Sequence, residues 1–518
     1  MLFISILLLI VAMAIPSLKT QISPILFQRL SSIILIYAGA LSFNALYIQS
    51  IGSGIGIYSG LFHVTFISQI LDIFIFTIGA IILIARPSIE AKSTEEKENS
   101  YLNAIEYSLI VMFSTLGASL LISCNDLISM YLSIELQSFG LYILTTLNRN
   151  SESATSAGLK YFLLGSLSSC LILLGAGLIY TFTGLTNFEA IYSLISVSDS
   201  SSITQGLNLG FVFIFVGFLF KISAAPLHNW APDVYNDSPT ITTIWLTVMP
   251  KISILIFLLE LYTHIGFLSN VEIFNSIVEI NGNENIILKN LLLISSFLSL
   301  LIGTIVGLAQ SKIKRLLAYS TISHIGFILL ALAINTEQSV DSFIFYIIQY
   351  TITNLNAFLI MLAFGYIINN SILFNKGSEK DINFIVELKG QFFSNPLIAI
   401  SLTICLLSMA GTPPLMGFFS KQFVLYSAIE SGYYFMAITG ILVSIISASY
   451  YLRIIRILHT DSEGLVSENK LNITTESNIS NLHSLTISTL TLLILLFVLK
   501  PSLILKSTQL LSLSLFYY

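Results

Sequence analysis

The sequence runs to 518 residues, 55% hydrophobic and only 9% charged, with a formal net charge of −5 and a mean hydropathy of +0.89. A water-soluble chain of this length needs a charged surface around its core, so that class is excluded. Apolar runs of about 18 residues or more, each able to cross the hydrocarbon of a bilayer, recur along the whole length and predict an all-α polytopic membrane protein.

In chain order, fourteen helical spans are predicted, over roughly 2–18, 31–49, 60–85, 105–123, 127–147, 157–182, 208–228, 241–262, 289–310, 316–334, 341–368, 396–427, 432–457 and 484–500. The opening MLFISILLLIVAMAIPSLKT has neither the arginines of a mitochondrial presequence nor the basic lead of a signal peptide, and reads as the first span. The longest polar connections, 86–104, 263–288, 369–394 and 459–482, are too short for separate domains, and runs such as TEEKEN and SEKD read as solvated faces. Residues 1–518 are therefore expected to form a single transmembrane domain. It divides into the first three helices with their loop (1–104), helices 4–8 (105–262), helices 9–13 (289–457) and the last helix with its tail (484–518).

The cations test this count. With the N-terminus outside, the odd-numbered loops face the inner compartment. With the helix ends that border them they hold fifteen of the 22 Lys and Arg residues; the even loops, their bordering helix ends and the tail hold three, and the span interiors four. A missed or invented helix would reverse every later loop and scramble that bias.

Polar positions also repeat. Asp126 and Glu135 in the fifth span are nine residues apart, as are Arg315 and His324 in the tenth. Glu135 precedes Lys160-Tyr161 by the same 25 residues that separate His324 from Gln349-Tyr350. Lys221 stands close to Pro226 in the seventh span, and Lys421 follows the Pro413-Pro414 pair of GTPPLMGFFSK in the twelfth. Spans four to eight thus match nine to thirteen. Five helices is an odd number, so the second copy is expected to be inverted in the membrane, with helices 7 and 12 broken at their prolines.

Several chemistries find no support. The three cysteines (Cys124, Cys170, Cys405) are scattered singly, the six histidines show no metal spacing, and no glycine-rich nucleotide loop occurs. The chain is expected to bring no cofactor or metal of its own. What it does carry is charge where charge is costly, roughly 2.5–3.5 kcal/mol for an ion at the centre of a span. The stretch FVFIFVGFLFKISAAPLHNWAPDVYNDSPT ends an apolar run at Lys221 and then breaks the helix. Lys251 is about the eleventh residue of its span, roughly 16 Å from the nearer end at 1.5 Å per residue, and too deep to snorkel. Burial disfavours an ammonium and a neighbouring carboxylate favours it, so such groups switch with their surroundings. Glu135, Lys221, Lys251, His324 and Lys421 are the predicted proton relay, with Lys160 a further candidate. Each has a plainer alternative. Lys160 could snorkel from its span's inner end, Lys221 could be a structural ion pair with Glu135, Lys251 a structural cation, His324 a satisfied interior histidine, and Lys421 mere lining of a broken helix. Asp72, outside the repeat, reads as structural.

LFKISAAPLHNWAPDVYNDSPT followed by VMPKIS resembles the chain 2 family of mitochondrial NADH:ubiquinone oxidoreductase, respiratory complex I. LSIELQSFGLYIL, LKYFLLGSLSS, KIKRLLAYSTISHIGF and MAGTPPLMGFFSKQFVL extend the likeness over residues 120 to 450, across an antiporter-like fold. The resemblance implies a module that translocates protons while electrons pass from NADH to ubiquinone elsewhere, with FMN, iron–sulfur clusters and ubiquinone held by other subunits. It implies the neighbouring antiporter-like chain 4 and small membrane chains as partners, lipids such as cardiolipin in the grooves, no nucleic acid, and a multi-pass location in the mitochondrial inner membrane. It carries Glu135, Lys221, Lys251 and Lys421 over as motif positions; the chain 4 sibling has a glutamate at the last. Asp237 stands where the family often has glycine, which touches the loop beyond the relay. Full fourteen-span length suggests a fungal or similar source. Two rivals stand beside this reading: a free-standing cation/proton antiporter, and a structural scaffold with inert buried ions.

Overall fold

The computed structural model describes residues 1–14, 24–48, 54–85, 94–148, 151–197, 201–267, 284–372, 381–460 and 480–516. Most of the predicted loops 263–288 and 459–482 therefore lies outside the described residues, as do residues 373–380 of the loop 369–394 and the start of 86–104. The helices are α1 (Leu2–Ala14), α2 (Pro24–Ala45), α3 (Phe66–Ile84), α4 (Thr94–Ile122), α5 (Leu127–Thr146), α6 (Glu152–Thr183), α7 (Phe188–Val197), α8 (Ser201–Lys221), α9 (Trp230–Asp237) and α10 (Thr240–Phe267). They continue as α11 (Glu284–Leu308), α12 (Ile313–Ile334), α13 (Glu337–Ile372), α14 (Pro396–Ala410), α15 (Met416–Glu430), α16 (Tyr434–His459), α17 (Asn481–Leu496) and α18 (Ser502–Phe516), with single turns at Ile385–Leu388, Gln391–Ser394 and Phe497–Leu499.

Eleven helices among the described residues are long and apolar enough to cross a membrane. The stretches read as the first, seventh and twelfth spans fall on shorter apolar helices, Leu2–Ala14, Gln205–Lys221 and Pro396–Ala410. The last two are the broken ones: α8 stops at Lys221 and resumes as α9, and α14 stops at Ala410 and resumes as α15.

Three expectations need correction. The second span is Pro24–Ala45 rather than 31–49, because proline opens a helix well and the chain continues in helical form from there. The third begins at Phe66, not at 60. Residues Phe62–Val64 pair antiparallel with Ile55–Ile57, Ile55 opposite Val64, around a four-residue turn whose Gly60 has φ +84°. Thr65 then starts α3 by a capping box, accepting from the Ser68 amide at 3.2 Å while Ser68 Oγ accepts from the Thr65 amide at 2.9 Å. The apolar period ran straight through the hairpin and hid it. Finally, α7 and α18 were not predicted, since each is too short to register as a span.

The bundle centres on α10 and α12, each 94% buried over its apolar window, whereas α2 and α6 are only 33% buried. Helices that are apolar all round and wholly enclosed are the core; those with one apolar face outward meet lipid or neighbouring chains. Ile33 and Ile36 on α2, Leu159 and Leu163 on α6, and Phe435 and Ile438 on α16 are exposed in this way. α10, α12 and α13 carry the central polar side chains of the site, and α5, α8 and α15 bring Glu135, Lys221 and Lys421 to it.

Candidate functional site

The two helix breaks place two lysines by the same physics. At the first, the carbonyls that end α8 are taken up locally: Trp230 Nε1 donates to Phe220 O at 2.9 Å, and the Ala224 amide donates to Leu219 O at 2.9 Å. Lys221 is the last residue of α8, where the helix dipole favours a cation. Its Nζ donates to Glu135 Oε1 on α5 at 3.4 Å and to Ser169 Oγ on α6 at 3.1 Å; the side chains of the pair are 7% and 14% exposed. At the second break, Gly411 adopts φ +87° and closes α14 as a left-handed cap. Lys421 reaches back from α15 and donates to the last carbonyls of α14, Met409 O at 3.0 Å and Ala410 O at 2.9 Å. A Cβ on Gly411 would stand 3.0 Å from Lys421 Cδ.

Lys251 lies between them on α10, directly after Pro250, whose ring leaves the Leu246 carbonyl without its usual helical donor. It is 1% exposed, and among the described residues no carboxylate forms an ion pair with it. Its Nζ donates to Thr321 Oγ1 at 3.2 Å and Tyr350 Oη at 3.4 Å, and sits 5.5 Å and 5.8 Å from the ring centres of Tyr235 and Tyr350. On the Lys221 side, Trp230 joins Phe220 to Tyr235 by ring contacts at 6.3 Å and 6.0 Å. A cavity of about 20 Å³, enough for about one water, is lined there by Gln137, Lys221, Trp230 and Pro250. On the other side the His324 ring lies 6.1 Å from Tyr350. Its Nδ1 is 2.8 Å from the Tyr346 hydroxyl and its Nε2 3.4 Å from that of Tyr451. Phe327, one turn on, stacks on Tyr346 at 6.0 Å and lies 5.7 Å below the Lys421 ammonium.

The structure thus brings Glu135, Lys221, Lys251, His324 and Lys421 into one buried line across the bundle. Lys160 is not in it. It projects from α6 to the surface, 51% exposed, and pairs with Asp233 at 3.3 Å; Asp233 also accepts from Arg315 at 2.9 Å. Its head reaches polar surroundings, as the snorkelling alternative has it. Asp126, a marker of the repeat, caps α5 by accepting from the Ile128 amide at 2.8 Å.

Five groups escaped the sequence reading. Tyr346 and Tyr451 look like ordinary interior aromatics, and Tyr350 served only as a marker of the repeat; nothing local says that their hydroxyls meet a histidine or a lysine. Lys314, taken for a loop cation, is buried at 3% and donates to Asp381 at 2.5 Å and to Ser238 O at 3.0 Å, while Asp381 also accepts from the Thr240 amide and hydroxyl at 2.9 Å. This clamp fastens the start of α12 to the joint between α9 and α10. Glu260, near the far end of α10, lines a separate cavity of about 440 Å³ with His63, Asn125 and Glu189, within electrostatic reach of Asp72.

The two halves of the second break touch at Gly417, where an added Cβ would meet the Ser408 carbonyl oxygen at 1.8 Å. Backbone cannot yield to that, so Gly417→Ala is expected to drive α15 off α14 and open the carbonyl cage of Lys421. Complex isolated from this variant should fall at least severalfold in yield, measured by native gel; normal yield would mean the halves do not pack this way.

Broken helices holding buried lysines inside a helical bundle define an antiporter-like membrane module. The family model for the membrane part of NADH:quinone oxidoreductases and Mrp antiporters matches residues 124–447. NADH-ubiquinone oxidoreductase chain 2 of Rhizopus oryzae is 49% identical over 548 aligned positions, covering 100% of both chains. NADH-quinone oxidoreductase subunit N of Pelagibacter ubique is 38% identical over 78% of this chain and 77% of its own. Among solved structures, a chain of respiratory complex I from Thermus thermophilus aligns over 98% of this chain and 99% of its own, with a TM-score of 0.71 at 24% identity. The chain belongs to the NADH-ubiquinone oxidoreductase chain 2 family. Of the two rivals, the free-standing antiporter is therefore set aside: the full-length likeness is to a subunit of complex I.

Proposed function

We propose that this chain is a core membrane subunit of proton-pumping NADH:ubiquinone oxidoreductase in the mitochondrial inner membrane, and that it carries protons along Glu135, Lys221, Lys251, His324 and Lys421. The observation that carries the reading is Lys251. An ammonium 1% exposed, about 16 Å from the start of its helix and held by two neutral hydroxyls and two tyrosine rings, is costly in a purely structural role. A group so placed gains or loses its proton easily when a charge nearby moves. Glu135 sets the charge state of Lys221, Lys251 passes the proton to the second half, and Lys421 stands at the outer exit or at the link to the next module. Moving one charge against the membrane potential requires about 2.3 kcal/mol per 100 mV, energy supplied by NADH oxidation in other subunits.

The reading includes the fourteen-span topology with both termini outside and two inverted five-helix repeats, supported by the sequence bias of cations towards one side. It includes the antiporter-like chain 4, small membrane chains and lipids such as cardiolipin as neighbours, supported by the apolar side chains exposed on α2, α6 and α16. It places FMN, iron–sulfur clusters and ubiquinone in other subunits and none in this chain.

The test is the number of protons moved per NADH by the intact complex in sealed vesicles. Lys221→Ala is expected to lower that ratio, with electron transfer to quinone slowed several-fold. An unchanged ratio and turnover would overturn the relay and favour the scaffold reading.

A further inference from the structure

α10 and α12, the two enclosed helices of the bundle, are tied together in the same order along each. Thr240 at the start of α10 is joined through Asp381 to Lys314 in the first turn of α12. Further along, Lys251 donates to Thr321 Oγ1 at 3.2 Å, and the Tyr262 hydroxyl donates to Ala333 O at 3.5 Å. Thr240, Lys251 and Tyr262 are eleven residues apart, close to three full turns, so they share one face of α10, and the two helices run parallel. The later contacts are weak: Lys251 meets neutral hydroxyls and tyrosine rings, and 3.5 Å is long for a hydrogen bond. The contact at the base is built differently.

Pro239 stands immediately before α10 and offers no side-chain acceptor to the orphan amides of the first turn. Asp381 supplies one from a distant segment, accepting from the Thr240 amide and hydroxyl at 2.9 Å each. That segment is fixed to the base of α12: the Ile313 amide donates to Asn383 O at 3.0 Å, and the Ile385 amide to Ser311 O at 3.1 Å. Lys314 closes the clamp by donating to Asp381 and to Ser238 O. Its neighbour Arg315 donates to Asp233 on α9 at 2.9 Å, and α9 carries Tyr235, whose ring lies 5.5 Å from Lys251 Nζ. The base of α12 thus grips both α10 and α9 by charge-assisted bonds, roughly twice as strong as neutral ones. A slip of α10 by one residue is about 1.5 Å along its axis, enough to carry the Lys251 ammonium out of hydrogen-bond reach of Thr321. We propose that Asp381, acting with Lys314, is a positioning residue for proton transfer at Lys251: the clamp sets the register of α10 on α12 and so holds the ammonium against Thr321 and Tyr350. This role rests on the relay proposed above. Asp381 acts from about 16 Å down the helix, through the rigidity of α10 itself.

The test uses the whole complex in sealed vesicles, with proton-coupled NADH:quinone turnover counted per assembled complex. Thr240→Val removes one hydroxyl from the clamp and leaves every charge in place. Asp381→Ala combined with Lys314→Met dismantles the clamp without leaving a buried ion unpaired. Coupled turnover is expected to fall roughly twofold or more in the first and roughly fivefold or more in the second. Thr321→Val removes the acceptor that the clamp presents to Lys251 and is expected to slow turnover by itself. Added to Thr321→Val, either clamp variant should cause no further slowing, because both changes act on one contact. A clamp that only stabilises the bundle would lower the yield of complex and leave turnover per assembled complex native. Native turnover in assembled Thr240→Val complex, or losses that multiply in full on the Thr321→Val background, would each overturn the proposal. Thr240→Val decides the matter even if the double variant fails to assemble. Failure of the relay shows instead as normal proton translocation in Lys251→Met, so the two failures are distinguishable.

Discussion

Replacing Lys251 by methionine is expected to stop proton translocation through this chain while leaving the complex assembled. The argument rests on what the lysine leaves behind. Thr321 Oγ1 already donates to Ala318 O at 2.8 Å, and the Tyr350 hydroxyl to Thr247 O at 3.2 Å, so neither loses its last partner when the ammonium goes. Methionine fills a similar volume and adapts to irregular space between Tyr235 and Tyr350. Removing an unpaired buried cation even relieves a desolvation cost. Stability should therefore hold or rise, while the gap in the line between Lys221 and His324 becomes impassable to a proton. We expect NADH:quinone turnover coupled to pumping to drop at least tenfold and complex yield to stay within twofold of the native protein. Normal protons per NADH in Lys251→Met would remove the central member of the relay and with it the proposed mechanism.

The Glu135–Lys221 pair gives the opposite pattern. Glu135→Gln alone leaves a nearly dry ammonium without its counter-charge, and breaking a buried pair from one side costs about 3–5 kcal/mol. Assembly should fall severalfold. Replacing both partners, as Glu135→Gln with Lys221→Met, removes the uncompensated charge and is expected to restore assembly to near the native level, because a buried pair is often no more stable than well-packed neutral side chains. Translocation should stay low in the double variant. A double variant as poorly assembled as Glu135→Gln would mean that the pair does not govern this region's stability; one that pumps normally would mean that the pair does not govern the path.

These contrasts show why the scaffold reading was hard to separate from the relay in sequence. Both readings place ions in spans. They differ in what each ion meets, and a contact between Lys251 on α10, Thr321 on α12 and Tyr350 on α13 joins residues 70 and 99 positions apart. No local pattern encodes such a pairing. Lys160 illustrates the converse: its place near a span end was legible, but whether it turned inward or out depended on Asp233 arriving from α9.

The sequence by itself determined that the chain crosses membranes many times, because length and apolarity of a run are local properties read directly against bilayer thickness. It determined the breaks after Lys221 and before Lys421, because proline and glycine act on the backbone where they stand. It also marked the ions worth attention, since charge in an apolar run is costly wherever the run is placed. Only the tertiary structure decided which of those ions share a line, that the tyrosines Tyr346, Tyr350 and Tyr451 complete it, that Lys314 is a buried clamp, and that a strand hairpin precedes α3. Each of these depends on side chains brought together from distant helices or on a turn that outcompetes an equally apolar helix, and packing free energy of that kind is summed over the whole bundle.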